Sequence, residues 1–156
     1  MEKNILVALD DSENAMRSVI YLADNFNTNS RVTLLSIVQD TASLCELNSP
    51  ELTPYFKSQL SSFCVLEDKK KELISAALEK AKAVLLDSGF KEENIEVKIH
   101  NKKRGVARDI IDESGLGYDL LVMGRRGLSS IKEFFMGSVS QKVLQQCKDI
   151  SILIVN

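Results

Sequence analysis

Runs of Ile, Leu and Val alternate along this chain with segments whose apolar residues recur at helical spacing. From Ile5 through Leu9 every position is apolar, so residues 3–9 predict a strand buried on both faces. Residues 12–26 predict a helix, because Ala15, Val19, Leu22, Ala23 and Phe26 fall on one stripe. Asp10, Asp11 and Ser12 supply capping side chains just before it. Residues 32–38 predict a second buried strand. Residues 39–66 carry both prolines, Pro50 and Pro54, and show no period; they read as an irregular insertion. From Glu67 the helical period returns, with Leu73, Ile74, Ala77, Leu78, Ala81, Val84 and Leu85 on one face and Gly89 at the stop. Residues 95–99 alternate and predict a third strand. A short helix over 105–114, a strand over 118–123, a helix over 138–147 and a strand over 150–155 complete the chain.

Doubly buried strands separated by helices define an α/β class with a parallel sheet and helices on both faces. Right-handed crossovers then favour a doubly wound sheet. The expectation is one domain over residues 1–156, interrupted by the insertion at about 39–66; there is no internal repeat.

Composition narrows the class. An apolar share of 44% against 27% charged residues is a globular balance and excludes disorder. The net charge of −2 offers no global attraction for nucleic acid or an anionic membrane, so neither is expected as a partner. No apolar stretch approaches the length of a membrane span, and the run after Met1 is too short for a signal-peptide core. The three cysteines, Cys45, Cys64 and Cys147, are odd in number and widely spaced. No disulfide is expected from them, and a reducing cytoplasm suits them best.

In a doubly wound sheet ligands bind beyond the carboxyl ends of the strands. Two such ends are polar or glycine-rich: Asp10-Asp11-Ser12 after the first strand, and Gly124-Arg125-Arg126-Gly127 after the fourth, followed later by Gly137-Ser138. Neither G-x-G-x-x-G nor G-x-x-x-x-G-K-[ST] is present, which disfavours dinucleotide and P-loop sites. Gly124-x2-Gly127-x9-Gly137-Ser138 nevertheless has the makings of a phosphate cradle. Glycines allow close backbone approach, and the helix starting near Ser138 offers unpaired N–H groups and the positive end of its dipole. Arg125, Arg126 and Lys132 add local positive charge. Ser138 and Gln141 also match a capping box, which needs no ligand, so both readings stand at this point.

The whole chain resembles a single-domain universal stress protein of the UspA-like family. The resemblance rests on residues 5–13, on residues 119–124, and on Gly124, Gly127, Gly137 and Ser138 in the spacing G-x2-G-x9-G-[ST]. It implies a five-stranded sheet of order 3-2-1-4-5, the adenine nucleotide alpha hydrolase-like arrangement. It further implies a homodimer paired through residues 150–155, ATP with Mg²⁺ as ligand, and a role for nucleotide in a stress response. Carried over residue by residue, Ala8 and Leu9 line the floor and Ile37 meets adenine. Met123, Gly124 and Gly127 lie along ribose and phosphate, with Arg125 and Arg126 beside them. Asp10 meets ribose or a metal-bridged phosphate, and Gly137, Ser138, Val139 and Ser140 donate to the phosphates. Asp10 also reads as a helix cap, and Ile37 as core. One departure is Gly105-Val106-Ala107 before the third helix, preceded by the basic run Lys102-Lys103-Arg104.

Three functions follow as expectations. The first is a regulatory nucleotide binder acting on an unidentified protein partner. The second is a slow ATPase or autophosphorylating protein, for which no general base or Walker lysine stands out. The third is a nucleotide-independent interaction module. His100 has no carboxylate partner in view, and no charge pattern marks Cys45 or Cys64 as an activated thiolate.

Overall fold

The computed structural model describes residues 1–47, 50–126 and 136–156. Its strands are β1 (Asn4–Ala8), β2 (Arg31–Val38), β3 (Ile95–Asn101), β4 (Leu120–Gly124) and β5 (Ser151–Val155). Its helices are α1 (Glu13–Asn25), α2 (Ala42–Cys45), α3 (Pro54–Asp87), α4 (Val106–Ser114) and α5 (Ser138–Gln146). All strand pairs are parallel, in the order β3-β2-β1-β4-β5. Val7 of β1 faces Leu34 of β2 on one side and Val122 of β4 on the other.

Strand alternation splits the core into two layers. Ile5, Val7, Leu9, Val32, Leu34 and Val122 point to one face and pack against Ala15, Val19 and Leu22 of α1 and Leu78, Ala81 and Leu85 of α3. Leu6, Ala8, Leu35, Leu121 and Met123 point to the other, against Ala107 and Ile110 of α4 and Val143 of α5. A strand that faces apolar helices on both sides must be apolar at every position, as β1 is.

Helix ends follow local chemistry. Ser12 is the N-cap of α1 and accepts the Ala15 N–H at 3.1 Å. At the end of α3, Gly89 adopts φ +95, the Phe90 N–H reaches the Leu85 carbonyl at 3.0 Å, and the Gly89 N–H reaches that of Leu86 at 3.0 Å. This is a Schellman stop, and it seats Phe90 in the core.

The insertion is more ordered than its sequence implied. Residues 54–66 are not irregular: α3 begins at Pro54, with Thr53 as N-cap accepting the Phe56 N–H at 3.2 Å and proline in the first turn. No side chain of α3 before Glu67 is buried. Without a packed face, this half of the helix carries no apolar period to read. The helix spans 34 residues, about 50 Å at 1.5 Å per residue.

The cysteine expectation is also corrected. Cys45 and Cys64 form a disulfide, their Cα atoms 5.8 Å apart. The odd count of three misled: two pair, and Cys147 stays free, packed against the α4–α5 layer. The bridge closes a separation of 19 residues, which in the chain-entropy view stabilises by about 3 kcal/mol. No helix among the described residues is long and apolar enough to cross a membrane.

Gly89→Ala tests the α3 stop. An added Cβ meets only Thr28 Cγ2 at 3.7 Å, so the cost is backbone strain. The expected loss is about 1–2 kcal/mol, seen as a lower urea midpoint at unchanged slope.

Candidate functional site

β1 and β4 are neighbours at the centre of the sheet, and the chain leaves them toward opposite faces. α1, after β1, packs in the Val7–Leu34 layer, whereas α5, after β4, packs in the Leu6–Met123 layer. A cavity of about 370 Å³ opens beyond their carboxyl ends, where the strand order reverses. That volume lies within the range of small-molecule sites.

Most of the sequence-predicted residues meet there. Ala8, Leu9, Asp10, Ile37, Met123, Gly124, Arg126, Gly137, Ser138, Val139 and Ser140 all line the cavity. Gly127 lies outside the described residues, as does Lys132. Arg125 is not among the lining residues. Its backbone instead closes the sheet end: its N–H donates to Val155 at 2.8 Å and its carbonyl accepts from Gly137 at 2.9 Å.

Sequence reasoning missed part of the wall. Lys70 and Ile74 come from α3, Val106 and Ile110 from α4, and Asp11, Ala15 and Leu35 complete it. Only the strand-end signals were visible in the sequence. That a helix following the insertion folds back over the sheet end is a tertiary fact.

The floor is held rigidly. The Leu9 N–H donates to the Leu35 carbonyl at 2.8 Å, and the buried Ser36 hydroxyl donates to the Leu9 carbonyl at 2.6 Å. Asp10 does serve the start of α1, accepting the Ser12 N–H at 2.9 Å, while its side chain still lines the cavity. Gly124 is tightly approached: a Cβ there would lie 3.0 Å from the Asn14 carbonyl oxygen, so the α1 backbone would have to give slightly. The Ser140 hydroxyl donates to the Gly124 carbonyl at 2.8 Å, so that hydroxyl ties α5 to β4.

The N-terminus of α5 opens into the cavity. Gly137, not Ser138, is the N-cap, and no side chain caps the helix. Ser138 is therefore the first helical residue, and the capping box with Gln141 is not formed. Gln141 makes the first helical bond, to Gly137 at 2.9 Å. The N–H groups of Ser138, Val139 and Ser140 precede that bond and have no turn below them to donate to. Arg126 Nε is buried with no hydrogen-bond partner among the described residues. An uncapped helix start and an arginine that line one cavity are a setting for an anion. Asp10 and Asp11 offer the hard oxygen donors that Mg²⁺ takes alongside phosphates. No group of three or more His, Cys, Asp or Glu side chains that could hold a metal ion occurs among the described residues.

The basic run before α4 does not line the cavity. It wraps around Asp109, whose carboxylate accepts the N–H groups of Lys103 at 2.7 Å and Arg104 at 3.0 Å, while Arg104 also pairs with Asp112. Burial alone would push the Asp109 carboxyl up, but the backbone N–H groups of Lys103, Arg104 and Gly105, with the Arg104 charge, hold it below its ordinary value. His100 has a carboxylate after all: its Nδ1 lies 3.7 Å from Glu113. Glu113 is buried, and it accepts from Lys98 at 2.9 Å and from the Tyr118 hydroxyl at 3.2 Å. The Glu113 hydrogen bond raises Lys98 well above its ordinary value against the burial that lowers it. None of Lys98, His100, Glu113 and Tyr118 lines the cavity.

The chain belongs to the universal stress protein family, which it matches over residues 1–156. No curated protein sequence matches it. Universal stress protein UspA from Lactobacillus plantarum has a TM-score of 0.71 at 21% identity, covering 99% of this chain and 97% of that one. The hypothetical protein MJ0577, whose biochemical function was assigned from its structure, has a TM-score of 0.68 at 25% identity over 99% and 96% of the two chains. A universal stress protein in complex with cAMP has a TM-score of 0.63 at 19% identity over 99% and 97%.

Asp109→Asn tests the α4 loop. A depressed carboxylate contributes stability above its unfolded pKa of about 3.9, lost as pH falls through the lower folded value. The variant is expected to melt below wild type at pH 7, and the gap should close as the pH falls below the folded value. A gap independent of pH would remove the carboxylate's charge from the account.

Proposed function

We propose that this protein binds an adenine nucleotide, ATP with Mg²⁺, as a regulatory ligand. The observation that carries this reading is the uncapped N-terminus of α5, facing a 370 Å³ cavity at the β1/β4 switch point. The phosphates lie against the N–H groups of Ser138, Val139 and Ser140, with Arg126 beside them. Asp10 faces the ribose or the ion bridging the phosphates. Met123 and Gly124 run along the ribose. Ala8, Leu9 and Ile37 supply an apolar floor and wall for the base, joined by Val106 and Ile110. Gly127 belongs to the same glycine pattern. Membership of the family, and the cAMP complex of one protein of the same fold, support a nucleotide rather than another anion. When bound, Mg²⁺ neutralises phosphate charge. Nucleotide then biases the surface seen by a protein partner.

Thermal stability against Mg-ATP, ADP and AMP is the test. A ligand at 100 times its Kd adds about 2.7 kcal/mol, or roughly 5–11 °C for a domain of this size. Gly137→Val should abolish the shift. Gly137 has φ −67 and ψ 152, backbone angles that valine also adopts, and it lines the cavity at the start of α5, where an added side chain would crowd the phosphates. No shift with any nucleotide, in protein shown to start nucleotide-free, would overturn the reading.

We also infer a homodimer through β5. It is the edge of the sheet beyond β4, and Ile152, Leu153 and Ile154 on it are only half-buried. An apolar edge of this kind calls for a cover. Sedimentation should give a dimer at micromolar concentration; a monomer there would exclude it.

A further inference from the structure

We propose that the Cys45–Cys64 disulfide is a reversible redox switch that sets nucleotide affinity by holding the Lys70–Ile74 part of α3 against the cavity. The proposal rests on the nucleotide reading above and adds a second input to the same site.

The two halves of α3 are fastened differently. Its C-terminal half is locked by Leu78, Ala81 and Leu85 in the core. Its N-terminal half buries nothing before Glu67, and Tyr55, Phe56, Phe63, Val65 and Leu66 are all exposed. A helix half of this kind lies at the low-stability end of a fold. The disulfide, the only one among the described residues, is its covalent tie to the segment that follows β2. That segment starts from the buried Thr41, whose hydroxyl accepts from Lys71 Nζ at 3.2 Å. The bridge and this hydrogen bond thus clasp α3 on either side of Glu67.

The cavity feels the clasp directly. Lys70 follows Cys64 by six residues, less than two helical turns, and Ile74 follows it by ten. Both line the cavity, and Lys70 is held by Glu67 at 2.9 Å. Lys70 is a cation on the α3 wall of a site that Asp10 and Asp11 also line. With the bridge intact, Lys70 and Ile74 are already placed when nucleotide arrives. With it open, nucleotide must order the first turns of α3, and affinity falls.

The chemistry needs a dithiol reductant. Its thiolate attacks one sulfur of the bridge and forms a mixed disulfide, and the other cysteine leaves as a thiolate that takes up a proton. The reductant's second thiol, as thiolate, then displaces the first cysteine. Two electrons and two protons pass to the protein, and the reductant becomes a cyclic disulfide. Cys45 and Cys64 are both partly exposed and flanked by exposed residues, so an attacking thiol has access.

The test uses the full chain carrying Cys147→Ser, oxidised or reduced with dithiothreitol, with bridge status verified by alkylation and mass spectrometry. Titration with Mg-ATP is expected to give a Kd at least threefold weaker for the reduced protein. A further Cys45→Ser/Cys64→Ser variant should hold the weaker value under either condition. Equal Kd values for verified bridged and reduced protein overturn the proposal. Hydrogen exchange on the nucleotide-free protein supplies an arm that does not depend on binding. Reduction should speed amide exchange at least tenfold over residues 54–66 and carry a measurable increase into 67–74. If neither form binds nucleotide, the functional reading fails by itself. Exchange then decides the clasp: an increase reaching 67–74 supports it, and one confined to residues before Glu67 overturns it.

Discussion

Adjacent parallel strands whose chains depart to opposite faces cannot be closed over by their own connections, and β1 and β4 are such a pair. The gap between the departing chains becomes the cavity. Its walls then come from elements brought there for other reasons, α3 and α4 among them. Gly124 is the joint of this arrangement. The first turn of α1 presses so close to it that a Cβ would meet the Asn14 carbonyl at 3.0 Å, and the Ser140 hydroxyl ties α5 to its carbonyl. One small residue thus meets the first turn of α1 on one side and the Ser140 hydroxyl of α5 on the other. The space left between them is what a ligand can use.

The same constraint explains the polarity of the site. Strands buried on both faces must be apolar, so β1 and β4 can offer polar groups only where they end. Asp10 and the backbone of Gly124 stand at those ends. Further polarity has to come from helix termini and from neighbouring elements. The α5 N-terminus provides it without a side-chain cap, and Lys70 brings it from α3. Ser36 and Asp109, by contrast, spend their polar atoms on holding backbone: one fixes the end of β1 and the other the entry to α4. The buried Glu113, paired with Lys98 and Tyr118, plays a similar part at the β3–α4 junction, away from the cavity.

α3 joins the core to the cavity. Its C-terminal half is an ordinary amphipathic helix, stopped by Gly89 and Phe90. Its N-terminal half has no core to pack on and relies on Thr53, Pro54 and the bridge to Cys45. Lys70 and Ile74, which line the cavity, lie between the tethered half and the core residues Leu78, Ala81 and Leu85. The difference between the halves, not the length of the helix, is what the proposed redox switch would act on.

The strands, α1, α4, α5 and the core-facing half of α3 were legible because burial leaves a period in the sequence, and their boundaries shift by only a residue or two. The β1 and β4 end signals were legible because a doubly wound sheet has few places for polar strand-end residues. Asp10, Gly124 and Gly137 could therefore be grouped before any contact was known, whereas Met123 joined them through the family resemblance. Most of what the chain could not reveal shares one physical cause: it depends on which segments meet in space once the chain is folded. The Cys45–Cys64 pairing needs α3 to fold back beside α2, the Lys70 and Ile74 wall needs α3 to cross the sheet end, and the Glu113 partners come from β3 and the α4–β4 connection. The helical start at Pro54 was hidden for a different reason, since an exposed helix has no buried face to imprint a period, although Thr53-Pro54 carried its cap. Sequence alone determined the sheet and where a site would open. Tertiary packing decided which side chains complete that site, because only the folded chain brings them within contact.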